Sequence, residues 1–224
     1  MKNVNDVHVH RYDNHAWTMV NESIAAESLV HLRVNDEHVS SLLASPGDLE
    51  DLLIGHMATE YGLAYQVQDR IKLSSNDEEL FAHLLTERTP TIEARTAIVT
   101  SSCGACDQSN LSSLIQTMPS VPSPNKRVSL DVVIQALYDM RDHQKDFTAT
   151  GGMHAAGLLI KDEAPLLVRE DIGRHNAVDK VYGLWSKGEG APPVALLLSG
   201  RCGWDIVAKA ASMGTPIIAS FGAA

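Results

Sequence analysis

Leu166-Leu167-Val168-Arg169-Glu170-Asp171-Ile172-Gly173-Arg174-His175-Asn176-Ala177-Val178-Asp179-Lys180 is the stretch that decides how this chain folds. Leu166 to Val168 reads as a buried strand, two acids close it, and Gly173 turns the chain into a helix opened by Arg174, His175 and Asn176. Val178, Val181, Tyr182 and Trp185 follow at helical spacing, and Gly188 is the stop. The same grammar returns at Leu196-Leu197-Leu198-Ser199-Gly200-Arg201-Cys202-Gly203-Trp204-Asp205, an apolar strand, a glycine loop and a helix. Ala155 to Lys161 reads as a further strand, joined to the strand at Pro165–Glu170 by the hairpin-type turn Asp162-Glu163-Ala164. Pro216 to Ser220 supplies the last strand. The second half of the chain is therefore an α/β layer structure with a mixed sheet.

Working back towards the N-terminus, Ser129 caps an expected helix carrying Leu130, Val133, Ile134, Leu137 and Tyr138 on one face. The breaker Met118-Pro119-Ser120-Val121-Pro122-Ser123-Pro124 before it is the candidate linker, which divides the chain into 1–118 and 125–224. Thr91 to Thr100 is expected to be a strand and Asp107 to Thr117 a short helix. Asn76 to Glu87 reads as helical, with Asn76 and Glu79 spaced as a cap pair. Tyr65, Val67, Ile71 and Leu73 alternate with polar neighbours as a strand buried on one face. Ser45-Pro46-Gly47-Asp48 starts a helix with Ser45 as its cap, Leu49, Leu52, Leu53, Met57 and Tyr61 follow, and Gly62 ends it. Ser28 to Leu43 is a hairpin turning at Asn35-Asp36, and the first twenty residues read as a loose tail or an edge strand.

Composition narrows the function. The 224 residues are 44% hydrophobic, with no apolar run near the ~20 residues of a membrane span, so no membrane partner is expected. A net charge of −10 argues against a nucleic-acid partner, because phosphate contacts need clustered Lys and Arg. Backbone amides can still build a local phosphate pocket. Three cysteines form no disulfide framework, and the polar, His-rich stretch Met1 to Asn14 has no signal-peptide core, so the cytoplasm is the expected compartment.

Two of those cysteines stand together in Ser101-Ser102-Cys103-Gly104-Ala105-Cys106-Asp107. A C-x-x-C pair serves redox exchange, half a metal site or a sulfur relay. Zinc would need two more ligands; no second C-x-x-C exists, and Cys202 with a distant His is a weak construction. Thr150-Gly151-Gly152-Met153-His154-Ala155-Ala156 is a place where backbone can approach a ligand closely. Zinc deaminases pair His-x-Glu with a later Pro-Cys-x-x-Cys; here the Glu is missing and the cysteines come first, which rules out that activity but not a related fold. The glycine corners at Gly173 and Gly200 each carry an Arg, and Arg174, His175 and Asn176 at a helix start suit an anion or the edge of a base. The Gly200 corner is not a Walker loop, since its glycine spacing is too short and no Gly-Lys-Ser/Thr follows. His8, His10 and His15 read as solvated side chains of a polar tail.

In this order the motifs resemble the formate dehydrogenase accessory sulfurtransferase family (FdhD/NarQ). The resemblance rests on Ser101 to Cys106, Thr150 to Ala156, Arg169 to Lys180, Ser199-Gly200-Arg201 with Lys209-Ala210, and Gly214-Thr215-Pro216-Ile217, with Pro46 to Leu52 and Gly55 in the first helix. It implies a cytidine-deaminase-like three-layer α/β/α domain with a mixed sheet, without zinc, preceded by a smaller α+β N-terminal domain, in a homodimer. It implies transfer of sulfane sulfur from a cysteine desulfurase to the bis-molybdopterin guanine dinucleotide cofactor, a molybdenum ligand held transiently, for formate dehydrogenase. The alternative function is a cofactor-binding chaperone without sulfur chemistry. Catalytic Cys103 and Cys106 follow from it, with Gly151, Gly152, His154, Asp171, Gly173, Arg174, His175, Asn176, Ser199, Gly200 and Arg201 as contacts for a guanine-nucleotide-type ligand. Two departures stand out within the motifs. Asp107 replaces the family's usual Gly, and its carboxylate disfavours the Cys106 thiolate, which makes Cys103 the expected nucleophile. Cys202-Gly203-Trp204-Asp205 replaces a small polar stretch followed by Glu. The chain is also expected to be short at its C-terminus, since the family continues past Ser220-Phe221-Gly222-Ala223-Ala224 through another helix and strand.

Overall fold

A computed structural model describes residues 2–76, 79–88, 98–99, 120–121, 128–160, 166–188 and 190–222. The cysteine pair 103 and 106, the helix expected over 107–117, most of the linker and the turn at 162–164 lie outside the described residues.

Residues 4–25 are a paired ribbon, not a tail. β1 (Val4–Asp13) and β2 (Ala16–Ala25) run antiparallel and turn at Asn14 and His15, both with positive φ (47° and 64°), the geometry of a tight two-residue hairpin. Asn3 ties the ribbon's base down: its carbonyl accepts the Ala26 N–H at 2.8 Å, and its Oδ1 accepts the Gly47 N–H. β3 (Ser28–Val34) and β4 (Glu37–Ala44) form the second hairpin, turning at Asn35 and Asp36 as their sequence requires.

Helix α1 (Leu49–Tyr61) starts later than its sequence suggests. Asp48 precedes it in the left-handed region, and Ser45 is engaged elsewhere, so the expected Ser45 cap is not formed. Gly62, at φ 64°, ends it, with the Leu63 N–H reaching back to Met57 O. β5 (Arg70–Ser75) is shorter than the alternation implied, and Val67 sits in a turn at 94% exposure.

The helix expected over Asn76 to Glu87 is instead strand β6 (Glu79–Leu85). Leu80, Ala82 and Leu84 are buried while Phe81 and His83 are only partly so, a period of two, and tertiary pairing overrides a run of good helix formers. Asn76 and Glu79 do meet: the Glu79 N–H donates to Asn76 Oδ1 at 2.7 Å, but the contact closes the β5–β6 turn. With β7 (Ile98–Val99) these strands make a five-stranded sheet in the order β5-β6-β3-β4-β7, in which β3–β6 and β4–β7 are parallel.

The second sheet orders as β11-β10-β8-β9, from β8 (His154–Leu159), β9 (Leu166–Asp171), β10 (Ala195–Leu198) and β11 (Ile217–Ser220). Alternation along its strands divides its side chains between two cores. Ala156, Leu158, Leu196 and Leu198 pack with α4 (Arg174–Ser186) and α5 (Trp204–Ser212), through Val178, Val181, Tyr182 and Ile206. Ala155, Leu159, Ala195 and Leu197 pack on the other side with α2 (Leu130–Asp139), through Val133, Ala136 and Leu137. The face expected for α2 is thus only partly right, since Leu130, Ile134 and Tyr138 stay exposed. A 3₁₀ turn (Met140–His143) and the short helix α3 (Lys145–Thr150) lead from α2 to β8.

α1 is buried on two sides. Leu49, Leu52, Leu53 and Met57 join the core of the five-stranded sheet, and the opposite side lies on α4. The two helices cross where both are glycine: a Cβ built on Gly55 would lie 1.7 Å from Asp179 O, and one on Gly183 1.8 Å from Asp51 O. Among the described residues, no helix is long and apolar enough to cross a membrane.

Candidate functional site

β8 runs antiparallel to both neighbours, so its first residue lies at the carboxyl ends of β9 and β10. His154 pairs with Asp171 on one side, and on the other the Ala156–Leu198 pairing brings it to Gly200. A Cβ on Gly200 would fall 2.9 Å from His154 Nδ1, so only glycine admits the imidazole there. β11, parallel to β10, ends at the same edge, where the Phe221 N–H bonds to Leu198 O at 3.1 Å. Ligands of α/β sheets bind at such an edge, outside the carboxyl ends of strands.

Both glycine corners open here. α4 follows Gly173 and α5 follows Gly203, and neither glycine offers a side-chain cap to the first-turn amides. α4 has no acid in its first turn and begins instead with Arg174 and His175. Burial pushes the His154 imidazole below its ordinary range, Arg174 and Arg201 add to that push, and Asp171 opposes it. Both corner arginines therefore act on one imidazole, and neither guanidinium has an ion-pair partner among the described residues. His175 Nε2 faces Asp205 Oδ2 and links the starts of α4 and α5. Burial lowers the His175 pKa against the pull of Asp205. Cys202 is half-buried beside this pair, and burial first, then Asp205, raise its thiol pKa, so it offers no ready thiolate.

A cavity of about 580 Å³ adjoins His154. Gly151, Gly152, His154 and Ser199 line it, as do Met153, Arg141, Gln144, Phe147, Thr148 and Phe221. Gly151 turns at φ 67° to end α3. Ser199 is held in register by both of its links to Ala155, an accepted N–H at 2.8 Å and a donated one at 3.0 Å. Arg141 lies 4.4 Å over the Phe221 ring, which packs edge-on against Tyr138. Glu170 fixes the far wall: its carboxylate accepts the Asp146 and Phe147 N–H groups at 2.9 and 2.8 Å and so anchors the start of α3. The sequence reading missed Arg141, Gln144, Phe147, Thr148 and Phe221. No motif marks them; only their position just before Gly151-Gly152 and just after the last strand could have drawn notice.

Of the expected contacts, the structure brings Gly151, Gly152, His154 and Ser199 into the cavity wall and sets Gly173, Arg174, His175, Gly200 and Arg201 around the same edge. Asp171 and Asn176 are placed differently, inside the joint between the two sheets. Asp171 is fully buried, and its carboxylate accepts from Gly173 N–H, Asn176 Nδ2, Ser45 N–H and Lys180 Nζ. Asn176 Nδ2 also reaches Leu43 O at 2.8 Å, and Lys180 Nζ reaches Ser45 O at 3.0 Å. With every acceptor position taken by protein, Asp171 has nothing left for a ligand. Ser45 Oγ completes the seam, accepting the Ile172 N–H and touching Met153 Sδ in the cavity wall.

A second buried cluster binds the same helices. Asp179 accepts from Thr59 Oγ1 at 2.7 Å, pairs with Lys209 Nζ at 2.7 Å and meets His56 Nδ1 at 2.9 Å. Burial opposes the charge on Asp179, yet Lys209 and His56 outweigh it and hold the carboxyl below its ordinary range. Burial likewise works against the Lys209 ammonium, while Asp179 and Glu60 outweigh it and raise its pKa. The run Glu170 to Lys180 therefore alternates between pocket wall and structural seam.

Residues 25–224 match the model of the FdhD/NarQ family. A relative from Nocardia farcinica, named sulfur carrier protein FdhD, is 34% identical over 214 residues, covering 90% of this chain and 76% of the relative. A protein of the same name from Thermoplasma volcanium is 42% identical over 131 residues, 58% of this chain and 47% of that one. A crystal structure from Desulfotalea psychrophila, described as a formate dehydrogenase accessory protein, superposes with a TM-score of 0.73 over all of this chain and 86% of that chain, at 20% identity. That likeness shows the fold.

Proposed function

The chain belongs to the FdhD/NarQ family, and from that membership we propose that it is a sulfur carrier serving formate dehydrogenase. In this reading Cys103 takes sulfane sulfur from a cysteine desulfurase, and the acceptor is the bis-molybdopterin guanine dinucleotide cofactor, bound as substrate at the His154 edge. The names of the relatives support sulfur carriage. The observation that carries the acceptor is the placing of Arg174 and Arg201 at the two glycine corners that flank His154, which lines a cavity of about 580 Å³, in a chain whose net charge is −10. Guanidiniums without an ion-pair partner among the described residues, set beside helix N-termini, favour phosphate.

The transfer is an exchange at sulfur. The Cys103 thiolate attacks the outer sulfur of the donor's Cys–S–SH, the donor's S–S bond breaks, the donor leaves as thiolate, and Cys103 becomes the persulfide. Cys106 assists release or accepts the sulfur by exchange. In support of this reading, β7 runs parallel to β4, and β4 leads directly into Ser45, whose Oγ touches Met153. Family membership also carries a cytidine-deaminase-like part at 125–224, working in a homodimer, and both belong to this proposal.

Mass spectrometry after incubation with a cysteine desulfurase and cysteine, paired with rescue of formate dehydrogenase activity in cells, tests the reading. The intact chain should gain one sulfur on Cys103, and Cys103→Ala should lose both label and rescue. Arg174→Glu with Arg201→Glu should keep the label, lose rescue, and weaken binding of a guanine nucleotide by more than about a hundredfold, since each charged hydrogen bond is worth about 1.5–3 kcal/mol. Full rescue by Cys103→Ala would leave a cofactor-binding chaperone as the function and sink sulfur carriage.

A further inference from the structure

One face of the β1–β2 ribbon carries side chains that neither the fold nor the proposed transfer uses. The pairing of His10 with Met19 and of Tyr12 with Trp17 sets Asp6, His8, His10 and Tyr12 on the same face as Ser23, Asn21, Met19 and Trp17. The outer rungs of that face are satisfied within themselves: Ser23 Oγ donates to Asp6 at 2.7 Å, and the Tyr12 and Trp17 rings lie 5.0 Å apart. The two middle rungs are not. Neither the His8 nor the His10 imidazole has a hydrogen bond, ion pair or ring contact among the described residues, and Met19 is 66% exposed.

We infer that His8, His10 and Met19 form a surface site for a soft monovalent cation of the copper(I) class. Opposite residues of an antiparallel pair hold their Cβ atoms about 5 Å apart, and alternate residues of one strand are about 7 Å apart. Two imidazoles and a thioether rooted at those spacings can close on one ion at bond lengths of about 2.0–2.3 Å. The donor set selects the ion. Thioether and imidazole suit copper(I), whereas magnesium, calcium and manganese ask for oxygen ligands. Among the described residues no three His, Cys, Asp or Glu side chains converge, so the third donor here is sulfur rather than a harder ligand. The one carboxylate on this face, Asp6, stands two rungs from the His10–Met19 pair, with its Oδ1 accepting from Ser23, so the donors at that pair are imidazole and thioether. The Tyr12–Trp17 rung next to His10 and Met19 adds aromatic faces that favour a cation. The ribbon holds the donors in register, because it is paired over its whole length and pinned at its base through Asn3, whose Nδ2 donates to Asp146 at 2.7 Å.

Silver(I), a redox-inert probe, tests this on the full chain labelled with methyl-¹³C methionine. The three cysteines are first alkylated, because thiolates would capture the ion. One silver ion per chain should bind and shift the Met19 methyl resonance, which is assigned by its loss in Met19→Leu. His10→Ala and Met19→Leu should each weaken binding by about tenfold or more, while the other methionine signals report an unchanged fold. Zinc(II) should leave the Met19 methyl where it was. A Met19 signal that stays still at saturating silver overturns the site. So does unaltered silver affinity in His8→Ala with His10→Ala, and a zinc-induced shift overturns the choice of ion.

Discussion

Gly183→Ala is expected to lower the free energy of unfolding by about 3 kcal/mol or more, the upper end of overpacking costs. The added methyl would sit 1.8 Å from Asp51 O, 2.6 Å from the Asp51 carbonyl carbon and 2.8 Å from its Cα. All three are helix backbone, so no rotamer change can make room. The helices must move apart, and the charged clusters on either side of the crossing move with them: Lys209 reaches both Thr59 and Asp179 only while α1, α4 and α5 keep their spacing. Gly55→Ala should behave alike, since its methyl would meet Asp179 O at 1.7 Å and the Gly183 N at 2.9 Å. Gly188→Ala is the control, because its nearest neighbour is Trp185 O at 3.6 Å, and its cost should stay within about 0.5 kcal/mol. Urea denaturation of the three variants decides the matter. A Gly183→Ala midpoint equal to that of the parent would show that the helices can separate freely, and the close crossing would lose its role.

How much of this was legible depended on how local each cause is. The strand–glycine–helix corners came through because Val178, Val181 and Tyr182 recur at helical spacing and Leu196 to Leu198 form an apolar run, signals held within fifteen residues. β6 did not, because Leu80, Ala82 and Leu84 are good helix formers and only pairing with β3, some fifty residues earlier, makes them a strand. The ribbon escaped notice for a related reason: its turn is Asn14-His15, without the glycine that marks such hairpins, and its exposed face mixes His, Met and Trp. In the candidate site, His154, Gly200 and the two arginines belong to motifs and were found by them, while Arg141 and Phe147 are delivered by folding alone. The motif run 169–180 was legible as important but not as divided in its duties. Its seam partners, Leu43, Ser45, His56 and Thr59, lie more than a hundred residues away, and no spacing rule connects them to Asn176, Asp171 or Asp179.

That division makes Asp171→Ala an expected fold variant rather than a ligand variant, with a loss of about 3–5 kcal/mol, the usual cost of breaking a buried pair. Lys180 is 0% exposed, and with the carboxylate gone its ammonium would keep, among the described residues, only Ser45 O at 3.0 Å, while the Ser45 and Gly173 N–H groups and Asn176 Nδ2 would each lose an acceptor. The penalty arises from the stranded partner, so removing both charges should recover part of it. Asp171→Leu with Lys180→Met should therefore unfold at higher urea than Asp171→Ala, even though it changes more of the chain. Arg201→Glu supplies the contrast, since Arg201 is exposed and outside the seam: its midpoint should match the parent while nucleotide binding falls. The opposite pattern, with Asp171→Ala keeping the parent's urea midpoint and losing only nucleotide affinity, would return Asp171 to the ligand site. The seam between the sheets would then have to rest on Asp179, Lys209 and the glycine crossing alone.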